Sequence, residues 1–117
     1  MNNWQTEYYQ PFPGKFPVFD FVESLPQIAR AKINNTIELL KEFGLKLGPP
    51  HSKKLTGTPL WELRILGQNN IRIFYVAIPG QKFLLLHGFV KKSDKTPTKE
   101  INTATKRLLL YHNIVIK

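Results

Sequence analysis

The chain has 117 residues, 42% hydrophobic and 12% aromatic, which fits one globular domain spanning residues 1–117 rather than a disordered polymer. It has no cysteine, excluding disulfides, thiolate metal sites and a cysteine nucleophile; no apolar run approaches the roughly 20 residues that span a bilayer, and the opening MNNWQTEYY has no signal-peptide character, so a soluble cytoplasmic protein is expected. The net charge of +9 is unevenly spread: residues 1–47 balance five basic against five acidic side chains, whereas residues 48–117 set twelve basic groups against Glu62, Asp94 and Glu100, a bias that favours a polyanionic partner, either nucleic acid or an acidic protein.

In chain order, Trp4–Tyr9 suits a short edge strand, and Pro11, Pro13, Gly14 and Pro17 break it into a turn-rich link. Asp20–Ser24 reads as a helical turn. Pro26 then opens a second helix, whose apolar stripe of Ile28, Ile33, Ile37 and Leu40 runs to Phe43, with Gly44 as C-cap. A loop carrying His51, Lys53 and Lys54 follows. Three strands, Leu60–Leu66, Ile71–Ile78 and Phe83–Val90, are separated by Gly- and Asn-containing turns and predict an antiparallel meander. Thr96 and Pro97 suit the N-cap and first residue of a helix through about Leu110, while Tyr111–Lys117 alternates too weakly to assign. The fold class is therefore α+β: a small antiparallel sheet, the meander plus an N-terminal edge strand, packed on an N-terminal helix pair, with a C-terminal helix.

Alternation within the meander sorts its side chains. Trp61, Leu63 and Ile65 share a face with Ile73, Tyr75 and Ala77 if an odd loop such as Gln68-Asn69-Asn70 joins their strands, which also brings Arg64 and Arg72 together. A tight even-length turn at Pro79-Gly80 would then send Leu84, Leu86 and Val90 to the core, and Phe83, Leu85, His87 and Phe89 to the arginine face. Two arginines side by side repel unless an anion or carboxylate lies between them, and Glu62 is the internal candidate, particularly for Arg64. Beyond the third strand, HGFVKKSDK places Lys91, Lys92 and Lys95 where a strand leaves the folded body beside Phe89, a position suited to holding a polyanion or simply to solvation.

The segments KKL (53–55), LWELRI (60–65), IRIFY (71–75) and LLLHGFVKKSDKTPTKEI (84–101), with Ala104 and Arg107, resemble the phage-derived, HigB-like branch of the RelE/ParE toxin superfamily over about Tyr8 to Leu110. The resemblance implies the toxin of a type II toxin–antitoxin pair, an mRNA endoribonuclease that works on the ribosome, with a cognate antitoxin encoded by the adjacent gene. It assigns family roles to Arg64, Arg72, Lys53, Lys54, Lys91, Lys92 and Lys95. The related ParE proteins inhibit gyrase instead, so a non-enzymatic toxin of that kind, or a basic nucleic-acid-binding module, is the alternative.

The chemistry expected of such a ribonuclease is attack of an RNA 2′-OH on the adjacent phosphate. It needs a base, an acid and stabilisation of a phosphorane-like state. The guanidinium forks of Arg64 and Arg72 match phosphate oxygens. Lys91 or Lys92, each disfavouring its neighbour's charge, or His87 would exchange a proton; His87 equally suits a strand residue hydrogen-bonded to backbone. Lys53, Lys54, Phe89 and Lys95 are left to hold RNA. The carboxylates are scattered and His51, His87 and His112 lack ligand spacing, so no metal, no cofactor and no membrane partner are expected.

Overall fold

The computed structural model describes residues 3–68 and 70–116; Asn69 of the expected loop and Lys117 of the tail lie outside them. Five strands, β1 (Gln5–Tyr8), β2 (Ser52–Lys54), β3 (Trp61–Arg64), β4 (Ile71–Ile78) and β5 (Lys82–Val90), form one sheet in the order β1-β5-β4-β3-β2. Three helices, α1 (Pro17–Glu23), α2 (Gln27–Phe43) and α3 (Thr98–Ile116), complete the α+β architecture, with a 3-10 turn at Gly44–Lys46. The sheet is mixed rather than antiparallel: β1 runs parallel to β5, from Gln5 opposite Lys82 to Tyr8 opposite Leu85. β2, read from sequence as loop, is an antiparallel strand whose three residues extend the sheet beyond β3.

Helix α1 starts at Pro17, earlier than expected, because a proline with fixed φ and no N–H suits a first helical position. Helix α2 ends at Gly44, whose φ of +58° is a left-handed value; a Cβ there would also collide with the Trp4 indole, which stacks on Phe83 with centroids 4.4 Å apart. Helix α3 continues through the tail that alternation left unassigned, as far as Ile116.

Helices lie on both faces of the sheet, which corrects the one-sided packing expected above. On one face Val18 and Val22 of α1 and Ala29, Ile33, Ile37 and Leu40 of α2 pack on Leu63, Ile73, Tyr75, Phe83 and Leu85. On the other, Ala104 and Leu108 of α3 pack on Leu60, Phe74, Val76, Leu84, Leu86 and Phe89.

The register explains that distribution. Arg64 faces Arg72 and Leu63 faces Ile73, as the alternation predicts. The β4–β5 loop, however, is the odd-length Pro79–Gln81, since Ile78 pairs with Lys82. Phe83 and Leu85 therefore turn to the α2 face and Leu84 and Leu86 to the α3 face, the reverse of the expectation. A bulge between Phe74 and Tyr75 then restores the original parity, so that Phe74 faces His87 and Arg72 faces Phe89. Just past the bulge, Gly88 admits the Phe21 ring, which would lie 2.5 Å from an added Cβ.

Candidate functional site

The two arginines are brought together by strand register. Direct cross-strand pairing of like charges is unfavourable, and Glu62, two residues before Arg64 on the same face, offsets it. Glu62 is only 3% exposed. Its Oε1 accepts a hydrogen bond from Arg64 Nε at 3.0 Å and lies 3.6 Å from Arg72 Nε, an ion-pair separation too long for a hydrogen bond. The carboxylate thus serves both arginines, where sequence reasoning favoured Arg64 alone. Its other oxygen, Oε2, lies 3.5 Å from Thr96 Oγ1, just before α3.

Arg72 is the more enclosed: its side chain is 13% exposed against 31% for Arg64, and Nη1 donates to the Ile71 carbonyl at 3.2 Å. Burial lowers the Arg72 pKa, Glu62 raises it and Arg64 lowers it again. Two adjoining surface depressions meet at Arg72 and Asn70. One is lined by Arg64, Pro50 and the β3–β4 loop, including Gln68; the other by Lys91, Lys92, Ser93 and Asp94. The Lys91 N–H donates to the Asn70 carbonyl at 2.9 Å, joining the end of β5 to that loop. Asn70, at φ +57°, takes a left-handed conformation that asparagine tolerates better than most residues. Gln68 and Asn70 were missed as site residues; the turn composition marks their loop but not what it lies against.

The remaining sequence-nominated residues diverge. Lys53 pairs with Glu62 across β2–β3 and shares the arginine face, whereas Lys54 is opposite Trp61 on the other face and donates to the Thr58 carbonyl. Lys95 is exposed in the segment before α3. Phe89 is 5% exposed and packed beneath α3, tilted on Phe74 with centroids 5.0 Å apart, so its ring is not presented to a ligand.

His87 lies on the arginine face but is engaged by α3. Its Nε2 lies 2.6 Å from Glu100 Oε1 and its Nδ1 3.3 Å from Arg107 Nη1, which also donates to the Leu86 carbonyl at 2.9 Å. A guanidinium can only donate, so Nδ1 accepts and Nε2–H donates to the carboxylate, the pattern of a neutral imidazole. Burial lowers the His87 pKa most, the Glu100 hydrogen bond and charge oppose this, and Arg107 adds to the lowering. Tyr75, the last residue of the IRIFY segment, faces the α2 side and bonds the Ser52 hydroxyl; burial raises its pKa while that bond lowers it.

A family model, Phage derived protein Gp49-like (DUF891), matches residues 20–109, most of the chain. The chain belongs to the Gp49-like family. This family is associated with RelE-like toxins. The match runs from within α1 through most of α3, and so includes Glu62, both arginines, both depressions and the His87 network, but not β1. No curated protein matches the chain. Among the described residues no helix is long and apolar enough to cross a membrane, and no three His, Asp or Glu side chains gather as ligands.

Proposed function

We propose that this Gp49-like protein is the toxin of a type II toxin–antitoxin system, a HigB-like endoribonuclease that cuts mRNA on the ribosome and is neutralised by an antitoxin from the adjacent gene. The observation that carries the reading is the arginine pair: two guanidinium groups, register-matched on adjacent strands and balanced by one buried carboxylate, opening onto basic depressions. One internal charge cannot neutralise two guanidinium groups, so the site favours a further anion. A phosphate gaining negative charge as the neighbouring 2′-OH attacks is such an anion, stabilised most where its charge is greatest. In this reading Arg64 and Arg72 stabilise the transition state without a metal, Lys91 and Lys92 exchange protons beside Arg72, and Lys53 and Lys95 hold the RNA strand. His87, already bonded on both nitrogens, is the weaker proton carrier of the set.

The test is cleavage by translating ribosomes saturated with each variant. Arg72→Ala should lose roughly a hundredfold or more in turnover, like a lost oxyanion donor, while ribosome association persists. Full activity at saturation would remove Arg72 from catalysis. Loss of association alone would favour a basic binding module, and gyrase inhibition without RNA cleavage would favour the ParE-like alternative.

A further inference from the structure

Glu62 does more than balance charge. It sits mid-strand in β3, buried, with Phe74 opposite on one side and Lys53 opposite on the other. A single oxygen, Oε1, faces the Nε edge of both arginines, at 3.0 Å for Arg64 and 3.6 Å for Arg72. Engaging Nε leaves the Arg64 Nη groups without a hydrogen-bond partner among the described residues, while the Arg72 fork is further fixed by the Ile71 carbonyl. Arg72 Nε itself is buried with no hydrogen-bond partner, so the carboxylate holds it by charge alone.

We infer that Glu62 is a positioning residue: its buried carboxylate fixes the inner edges of both guanidinium groups and so presents their outer edges as one preformed anion receptor. The inference rests on the ribonuclease reading for its catalytic consequence, not for its geometry. Preorganised donors need no rearrangement as charge develops, and small misplacements of such groups cost rate rather than binding. The second contact, with Thr96, links this positioning to the segment that carries Lys91, Lys92 and Lys95 into α3.

The experiment compares Glu62→Gln, which removes the charge but retains an acceptor, with Glu62→Asp, which retains the charge but withdraws it by one methylene. In nitrogen-15-labelled protein, the Nε–Hε signals of Arg64 and Arg72, assigned with the single Arg→Lys variants, should both move in each Glu62 variant. Turnover by saturated ribosomes should fall by about a hundredfold in each, with association unchanged. A residue that only stabilised the fold would shift the urea midpoint and leave turnover near wild type in the folded fraction. Unmoved arginine signals, or wild-type turnover with displaced signals, would overturn the inference. If Glu62→Gln does not fold, Glu62→Asp decides alone. If the wild type cuts no RNA, the ribonuclease reading fails while the arginine signals still decide the positioning role.

Discussion

Lys53 and Lys54 are neighbours in sequence, but strand alternation sends them to opposite faces of the sheet, with Lys53 beside Glu62 and Lys54 turned back on Thr58. Lys53→Ala should therefore weaken binding to single-stranded RNA and flatten its salt dependence by about 0.7 log unit per decade for one lost phosphate contact. Lys54→Ala should leave that slope unchanged. Fluorescence anisotropy across a salt series separates the two. Gly88 gives a prediction of another kind: a Cβ there meets the Phe21 ring, so Gly88→Ala should lower stability by about 1–3 kcal/mol in urea unfolding. Which side chains carry charge was legible in the sequence; which carboxylate they meet was not. Glu62 reaches Arg72 only because of the cross-strand register, and Phe89 is lost to a ligand only because α3 crosses above it, neither of which is encoded near the residue itself.

At the level of elements, the β4–β5 hairpin is instructive because two one-residue displacements cancel. The loop is odd where an even one was expected, and the bulge at Phe74/Tyr75 adds the compensating shift. His87 and Phe89 thus reach the expected face although Phe83–Leu86 do not. Apolar runs such as Phe83–Leu86 carry no alternation from which register can be read, since both faces of the strand are buried. Leu84→Ala and Leu85→Ala should consequently each cost about 2–5 kcal/mol in chemical unfolding, through different cores. A sheet with one solvated face would spare one of them.

Helix α3 adds a pH dependence to the same strand. His87 titrates below its ordinary value of 6.5 when folded, so the unfolded chain takes up its proton first as pH falls. The neutral-imidazole contribution is complete above about pH 6.5 and is lost as pH drops below it toward the folded value. Urea midpoints measured over this range should decline with acidification, and His87→Gln should flatten that part of the decline. The boundaries of α3 were harder to read than its existence: Tyr111–Lys117 alternates too weakly to assign from sequence, and the helix start is displaced to Thr98, with Pro97 supplying carbonyl contacts to the Glu100 and Ile101 N–H groups.

For the whole molecule, the concentration of positive charge after residue 47 belongs to β2–β5, the segment joining β5 to α3, and α3, rather than to α1 and α2. A neutralising partner should bring carboxylates to these basic groups. Co-expression with the product of the neighbouring gene should restore growth slowed by this chain alone, and the pair should co-purify; a harmless chain with no co-purifying partner would contradict the toxin–antitoxin reading. The α+β class and the meander were legible because helical and strand periods are local. The mixed sheet was not, because β1 pairs with a strand far along the chain.

That parallel pairing joins Gln5 to Lys82, so the first strand has no partner until the last strand of the sheet has been made. Closing so long a loop is entropically costly and makes completion of the sheet a late event in folding. The covering helix α3 is later still, since it follows β5 in the chain. The Glu100 and Arg107 contacts that hold His87 therefore form only after every strand of the sheet has been synthesised.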